Sequence, residues 1–307
     1  MAAITVDGLT KDYGEVLAND GVTFEVAEGE VFGYLGPNGA GKTTTIRTLL
    51  GFQSPTDGTA SVLGADVRAE DELIAAKRRV GYLPATPSFD ETATGRQVLD
   101  LHGSVKGDPR RGELLDLFDP PLDREIRDYS TGNAQKLGLV QAFMHDPDLV
   151  VMDEPTSGLD PLMQRRFEEF VRAERRAGTT VFLSSHVLSE VRRLCDRVGV
   201  IRDGHIVAVE RVADLLGRSG KAVLARVDGS VSADDVTLAG AHDVAVRTVA
   251  APDDRDAGGT VTEVTFTYTG DVNELVAFLD RFDLLEVDVE EAPLEDVFMQ
   301  FYGDDDA

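Results

Sequence analysis

Short apolar runs separated by turn-forming residues recur along the first two thirds of the chain. They lie at residues 4–6, 22–26, 31–35, 60–63, 80–83, 149–152, 181–183 and 198–201. Helical patterns, such as the one at residues 161–176, lie between the later runs. Uninterrupted apolar strands that alternate with helices predict a parallel sheet with helices on both faces. The early runs have short connections and alternate with polar residues, which predicts antiparallel strands.

Two further regions show different patterns. Residues 88–145 lack convincing strands and carry helical segments at residues 96–102 and 112–118, which predicts a separate helical lobe. Strand patterns return later, at residues 222–227, 244–249, 261–268 and 285–289, with a helical stripe at 272–279 and a charged turn at 253–259. Pro293 is expected to begin a last helix over residues 294–302. This order predicts a small α+β domain without a catalytic motif.

The charge of the chain is strongly negative and unevenly placed. Its 307 residues carry 56 acidic and 30 basic side chains, a formal charge of −26. Residues 219–307 hold 21 acids and 5 bases, so we expect a domain boundary near residues 217–220, between domains at residues 1–218 and 219–307. Such a composition argues against a nucleic-acid ligand, because phosphate contact needs a basic surface.

Only six of the basic residues are Lys. An acid-rich, Lys-poor surface resembles that of proteins from salt-accumulating halophiles, and an ordinary acidic cytosolic protein is the alternative. The single cysteine, Cys195, excludes an internal disulfide and is typical of a reducing cytosol. No run approaches the roughly 18 to 20 apolar residues of a membrane-spanning helix, and no signal-peptide pattern is present. We therefore expect a cytoplasmic protein that reaches a membrane only through a partner.

The residues from Gly36 to Thr43 match the phosphate-binding pattern Gly-x-x-x-x-Gly-Lys-Ser/Thr between a predicted strand and a predicted helix. The glycines let successive backbone N–H groups face phosphate oxygens at the start of the helix. Lys42 is expected at the β- and γ-phosphates, the Thr43 hydroxyl on Mg²⁺, and Thr44 near the α-phosphate. The predicted phosphate-binding residues are Gly36, Asn38, Gly39, Ala40, Gly41, Lys42, Thr43 and Thr44.

Asp153 and Glu154 follow four apolar residues at the predicted carboxyl end of a buried strand, where open α/β sheets bind ligands. We expect Asp153 to help hold Mg²⁺ from the ion's second coordination shell. We expect Glu154 to orient and deprotonate an attacking water. With the phosphate-binding pattern upstream, these carboxylates predict Mg²⁺-dependent hydrolysis of ATP.

The ordered set of motifs resembles the ATP-binding subunits of ATP-binding cassette (ABC) transporters over residues 2 to about 218. By this resemblance, the signature loop is Ser130-Thr131-Gly132-Asn133 and the D-loop ends at Asp160. His186 is then the switch histidine, and Tyr13 is the aromatic residue that stacks on adenine. The resemblance implies an α/β fold, with a RecA-like core, an antiparallel β subdomain and a helical subdomain.

The signature loop implies a second subunit. One chain has one phosphate loop. A second helix N-terminus that can bind an anion therefore has no ligand within the same chain, unless it binds a second nucleotide. In the family, Ser130 and Gly132 contact the ATP of a partner, which gives two composite sites in a homodimer. The family also implies a separate transmembrane permease. The C-terminal domain resembles that of ATPases that serve exporters of drugs, lipids or polysaccharides.

Three positions depart from the family pattern. Ala85 stands where Gln or Glu usually senses Mg²⁺ and transmits motion to the membrane subunit, and Thr131 and Asn133 replace the more usual Gly and Gln of the signature. We therefore expect slow turnover and inefficient coupling rather than loss of ATP binding. A weakly hydrolysing regulatory subunit is one alternative. A soluble ABC ATPase of DNA repair or translation is another, although long insertions and basic patches are missing.

Overall fold

The computed structural model describes residues 1–249 and 260–291. Its strands are β1 (Ala2–Asp12), β2 (Leu17–Ala27), β3 (Val31–Leu35), β4 (Asp57–Val62), β5 (Ala65–Asp66), β6 (Val80–Leu83), β7 (Leu149–Asp153), β8 (Thr180–Ser185), β9 (Arg197–Arg202), β10 (His205–Arg211), β11 (Lys221–Asp228), β12 (Ala241–Val249), β13 (Val261–Tyr268) and β14 (Leu284–Glu291). Its helices are α1 (Lys42–Leu49), α2 (Glu70–Lys77), α3 (Gly95–Lys106), α4 (Arg111–Phe118), α5 (Thr131–Phe143), α6 (Pro161–Ala177), α7 (Leu188–Leu194), α8 (Val212–Ser219) and α9 (Val272–Leu279). The predicted turn at residues 253–259 and the predicted helix at residues 294–302 lie outside the described residues.

Packing divides the chain into two compact units. The first ends at Val212 and the second begins at Ala213. The uneven charge predicts the boundary near residues 217–220 instead. The helix α8 spans the residues between the predicted and the observed boundary. Among the described residues, no helix is both long and apolar enough to cross a membrane.

The first unit contains a six-stranded sheet in the order β10-β9-β3-β8-β7-β6. Its inner strands pair in parallel, as the uninterrupted apolar runs predicted, and β10 adds an antiparallel edge. Every residue of β3 and β7 is buried, which explains why neither strand alternates between apolar and polar residues. No apolar run of the sequence predicts β10, whose residues are half-buried or exposed at the sheet edge.

A second sheet of the first unit is antiparallel, in the order β2-β1-β4-β5. The antiparallel prediction for the early strands is therefore confirmed, although β1 and β2 are longer than the predicted runs. Phe24 of this sheet stacks on Phe32 and Phe182 of the parallel sheet, with ring centroids 5.5 and 5.9 Å apart. This aromatic contact joins the two sheets beneath the strand that leads into the phosphate-binding pattern.

The region predicted as a helical lobe contains α3, α4 and α5 and no strand between β6 and β7. Thr94 and Gln97 form a capping box at the start of α3. The Ser130 hydroxyl accepts a hydrogen bond from the Asn133 N–H and so caps α5. The caps explain where these helices begin.

The described part of the second unit is an antiparallel sheet in the order β12-β13-β11-β14, with α9 packed against one face. Val223, Phe266, Leu275 and Phe278 belong to its core. The other face carries charges in register across all four strands: Arg247, Glu263, Arg226 and Glu286. Opposite charges on neighbouring strands stabilise such a sheet.

Candidate functional site

A cavity of about 290 Å³ opens where β3 and β7 end in the first unit. Its walls come from the loop between β3 and α1, from the start of α1, from the end of β7, and from single residues at the start of β2 and after β6. The lining residues are Ala18, Pro37, Asn38, Gly39, Gly41, Lys42, Thr43, Thr44, Ala85, Asp153 and Glu154. Gly36 and Ala40 were also predicted to bind phosphate; they are buried and do not line the cavity.

The loop between β3 and α1 can wrap the cavity because of its glycines. Gly41 has φ +106°, and a Cβ atom there would lie 2.3 Å from the Ala18 carbonyl oxygen. A Cβ atom on Gly36 would lie 2.4 Å from the Ile201 carbonyl oxygen. Any larger residue at either position would therefore displace the backbone that brings the first N–H groups of α1 to the cavity.

Lys42 begins α1, and its side chain is only 7% exposed. Its Nζ donates hydrogen bonds to the carbonyl oxygens of Gly36 at 2.6 Å and Pro37 at 3.1 Å, and it lies 3.8 Å from Glu154 Oε1. Burial lowers the pKa of Lys42, and the charges of Glu154 and Asp153 oppose that shift. The ammonium group is thus held by neutral acceptors, which an anionic ligand can replace with stronger hydrogen bonds.

Asp153 ends β7 and is 3% exposed. Its Oδ2 accepts a hydrogen bond from the Thr43 hydroxyl at 3.0 Å, and its Oδ1 accepts one from the Ser184 hydroxyl. A hydroxyl and a carboxylate in contact supply the hard oxygen atoms that Mg²⁺ prefers. In the described part of the chain no group of three or more Asp, Glu, His or Cys residues could hold a metal, so phosphate and water would have to complete the ion's coordination.

Glu154 follows directly and adopts a left-handed backbone conformation, with φ +50°. For a residue other than glycine this conformation costs about 1 kcal/mol. The strained turn directs the carboxylate toward the Lys42 ammonium and the His186 ring: Oε1 lies 3.8 Å from Lys42 Nζ, and Oε2 lies 2.8 Å from His186 Nδ1. The structure therefore brings together the predicted base, the predicted switch histidine and the lysine that was predicted to bind phosphate.

The contact with Glu154 limits what His186 can donate. Its Nδ1 carries the proton that the carboxylate accepts, so Nε2 has a second proton only when the ring is an imidazolium. The His186 side chain is 57% exposed, which leaves Nε2 accessible to a ligand. His186 can thus donate to a phosphate as a cation, or after Nδ1 leaves Glu154.

Ser185 and Glu190 fix the backbone on either side of His186, and sequence reasoning missed both. The Ser185 hydroxyl accepts a hydrogen bond from the Val187 N–H at 2.9 Å and donates one to Glu190 Oε2 at 2.6 Å. Glu190 is 2% exposed, and burial raises the pKa of its carboxyl group. The hydroxyl-rich run before His186 was a signal for this turn, because serine hydroxyls bond to the backbone two residues further on.

The predicted signature residues do not line the cavity. The Ser130 hydroxyl is occupied as the cap of α5, and Asp160 caps α6 by accepting from the Met163 N–H at 2.9 Å. A Cβ atom on Gly132 would lie 2.7 Å from the Gly158 carbonyl oxygen, so the start of α5 packs closely on the loop after Glu154. The start of α5 is therefore a second helix N-terminus, separate from the one at the phosphate loop.

A model of the ABC transporter family matches residues 19–157 of the chain. The chain is 34% identical over 314 residues to the Nod factor export ATP-binding protein I of Paraburkholderia xenovorans (strain LB400), covering 98% of this chain and 97% of that protein. This chain belongs to the family of ABC transporter ATP-binding proteins. Over 230 residues it is 39% identical to the daunorubicin/doxorubicin resistance ATP-binding protein DrrA of Streptomyces peucetius, covering 72% and 69% of the two chains.

Solved structures of ABC subunits share the fold. The ATP-binding subunit of an ABC transporter superposes with a TM-score of 0.65 at 30% identity, covering 70% of this chain and 92% of that chain. The expected α/β fold of an ABC ATPase is thus confirmed. Structures of the same fold include dimeric cassettes.

Two further residues lie at or near the cavity: Ala85, one of the three departures from the family pattern, and Ser184, which the sequence did not predict. Ala85 lines the cavity with a methyl group, which can neither bind a metal nor accept a proton. Ser184, directly before the run that holds His186, bonds to Asp153 and was not singled out. A hydroxyl at the carboxyl end of β8 is next to β7 in the sheet, and this neighbour relation is visible only in the structure.

Proposed function

We propose that this ABC subunit binds and hydrolyses ATP with Mg²⁺, works as a homodimer, and drives export through a separate transmembrane permease. The observation that carries the proposal is the meeting of Lys42, Asp153 and Glu154 around one cavity, with His186 bonded to Glu154. Cleavage of a terminal phosphate would use each of these groups.

For binding, the N–H groups at the start of α1 and the Lys42 ammonium would hold the triphosphate. Lys42 would exchange its bonds to the Gly36 and Pro37 carbonyls for bonds to phosphate oxygens. Thr43 and Asp153 would hold Mg²⁺, which supplies charge neutralisation for the phosphates when bound. Thr44, the next residue of α1, would lie near the α-phosphate.

For hydrolysis, Glu154 would orient a water molecule and take its proton as the water oxygen attacks the terminal phosphorus. The bond between that phosphorus and the bridging oxygen breaks, and ADP and phosphate leave. His186 holds the Glu154 carboxylate in position through the 2.8 Å contact and presents Nε2 to the phosphate.

The dimer is supported by the exposed helix start at Ser130, which is capped and separate from this chain's own cavity. A second copy would bring its ATP to that start, where Ser130 and Gly132 would contact it. Export is supported by the similarity to proteins named for Nod factor export and for daunorubicin and doxorubicin resistance. We place the subunit at the inner face of the cell membrane, with the permease providing the membrane contact.

The test is a phosphate-release assay with purified protein, ATP and Mg²⁺. We expect release that requires Mg²⁺ and is lost in Lys42→Ala, which no longer holds the triphosphate. In Glu154→Gln we expect retained ATP and a dimer in size-exclusion chromatography, because the γ-phosphate contacts persist. Release at the wild-type rate in both variants would refute the assignment.

A weakly hydrolysing regulatory subunit is the second candidate, and Ala85 is the observation that favours it. It predicts that wild-type protein dimerises with ATP but releases phosphate no faster than Glu154→Gln. A clear rate difference between these two proteins would exclude it.

We also propose that the acidic surface is an adaptation to high salt. At a formal charge of −26, self-repulsion destabilises the folded chain, and a Debye length of about 3 Å near 1 M salt screens it. The urea midpoint of unfolding should therefore rise between low and molar KCl. A midpoint that stays level would contradict the halophile interpretation.

A further inference from the structure

Tyr13 lies in the turn that follows β1 and is 54% exposed. Its N–H donates to the Val16 carbonyl oxygen at 3.0 Å, and the next residue, Gly14, bonds to the Asp12 side chain at 2.6 Å. Its hydroxyl donates to Gln53 Oε1 at 2.6 Å. An exposed tyrosine that is held at both its backbone and its hydroxyl is set in one orientation before any ligand arrives.

The Gln53 side chain is itself fixed by α1. Its Nε2 donates to the Thr44 carbonyl oxygen at 3.0 Å and lies 3.0 Å from the Thr48 hydroxyl. A carbonyl oxygen can only accept, so the amide nitrogen must face α1, and Oε1 must face the Tyr13 hydroxyl. Gln53 thus joins the aromatic ring to the helix that begins at the phosphate loop.

One face of the Tyr13 ring is already covered. Lys11 Nζ lies 5.1 Å from the ring centroid and is anchored by a 2.9 Å hydrogen bond to the Ser54 carbonyl oxygen. A flat base would therefore stack on the opposite face. Thr44 lines the cavity, so the ring is one glutamine side chain away from the residue expected near the α-phosphate.

We infer that Gln53 is a positioning residue for the nucleotide base: it holds Tyr13 at a set distance from the phosphate loop and thereby raises the affinity for the adenosine part of ATP. This inference rests on the proposed function. A ring held in place loses less conformational freedom on binding, so preorganisation shows as affinity and not as a faster chemical step. The phosphates should not sense the change, because Gln53 contacts Thr44 only at its carbonyl oxygen, whereas phosphates would bind to backbone N–H groups, hydroxyls and the Lys42 ammonium.

The experiment compares ATP with inorganic tripolyphosphate, which has the phosphates but no base, in calorimetric titrations of the full chain. In Gln53→Leu and in Tyr13→Phe, the affinity for ATP should fall about three- to tenfold, the range for one lost hydrogen bond. The affinity for tripolyphosphate should stay at the wild-type value. In phosphate release, KM should rise by the same factor while kcat is retained.

Two controls separate the explanations. Tyr34→Phe also removes a tyrosine hydroxyl that contacts α1, at Thr45, but Tyr34 is buried and cannot touch a base. Any change in affinity should therefore be the same for ATP and for tripolyphosphate. The double variant Gln53→Leu/Tyr13→Phe should bind ATP no more weakly than Gln53→Leu alone, because both substitutions remove the same hydrogen bond between Tyr13 and Gln53.

Equal losses for ATP and tripolyphosphate in Gln53→Leu, or additive losses in the double variant, would overturn the inference while leaving ATP binding intact. Wild-type protein that binds neither ligand would instead overturn the proposed function.

Discussion

Glu154 and Glu174 are both carboxylates with limited exposure in the first unit, yet their surroundings differ. Glu174 is 4% exposed and receives both Nη atoms of Arg110, at 2.7 and 2.6 Å, together with the Thr179 hydroxyl at 3.2 Å. Glu154 has a lysine at 3.8 Å and one imidazole nitrogen at 2.8 Å, on a left-handed backbone.

These surroundings separate a carboxylate that stabilises the fold from one that is free to take part in chemistry. A guanidinium group that binds both oxygens occupies the acceptor positions of the carboxylate. Such a carboxylate is not available to accept a proton or to bind a ligand. A carboxylate on strained backbone, with partners that can move away, keeps that capacity. The neighbours of Glu154 also differ in kind, since Lys42 and His186 can each turn to a phosphate.

The largest expected effect comes from exchanging the two carboxylates for amides. Glu154→Gln should lower phosphate release about 10²- to 10⁴-fold, the usual contribution of a general base. Glu174→Gln should keep the wild-type rate when both are assayed well below their unfolding temperatures. Equal rate losses in the two variants would show that Glu154 acts on the fold and not on the reaction.

The second effect is on stability, and here Glu174→Gln is expected to have the larger effect. Glu174→Gln should lower the free energy of unfolding by about 2 kcal/mol, because Arg110 loses charged hydrogen bonds at a site where it is 18% exposed. Glu154→Gln should lower it by clearly less. Urea denaturation without nucleotide measures both, and a larger loss in Glu154→Gln would reverse the distinction.

Much of the cavity could be predicted from the sequence because its residues are local. Gly36 to Thr44 form one loop and the start of one helix, and Asp153 and Glu154 follow one apolar run. Parallel strands bring their carboxyl ends to the same edge, so the two segments could be placed together without coordinates.

The supporting contacts could not be predicted because they join distant segments. Arg110 and Glu174 are 64 residues apart, and Tyr13 and Gln53 are 40 apart. Polar side chains such as these are usually exposed, so no local pattern marks them as paired. The turn at residues 253–259 and the helix at residues 294–302 stay predictions.

The histidines show a similar contrast between a side chain at the cavity and side chains buried elsewhere. His186 has a carboxylate partner, whereas burial, together with the Lys106 ammonium, lowers the pKa of both His102 and His145 to about 4. Between pH 4 and about 6.5 the unfolded chain binds protons at these two positions that the folded chain does not. Stability should therefore fall as the pH is lowered through this window.

The double variant His102→Gln/His145→Gln measures that contribution. At pH 5 to 6 the slope of the unfolding free energy against pH should be steeper for the wild type than for the variant. The difference should correspond to the uptake of up to about two protons on unfolding. Carboxylates elsewhere titrate in both proteins and cancel in the difference. Identical slopes from urea unfolding at pH 4.5, 5.5 and 6.5 would show that these rings are protonated in the folded state.

The smallest effect concerns Ala85, which lines the same cavity as Glu154 and has no polar side-chain atom. Ala85→Gln should leave ATP affinity within about twofold of wild type, since substitutions away from specific contacts have small effects and Lys42 and the phosphate loop are unchanged. Ala85→Met, of similar length but without the amide, is the matched control. If an added amide can help to hold Mg²⁺ and water, phosphate release in Ala85→Gln should exceed that in Ala85→Met. A rate in Ala85→Gln no higher than in Ala85→Met would mean that Glu154 and its present neighbours already supply what the reaction needs.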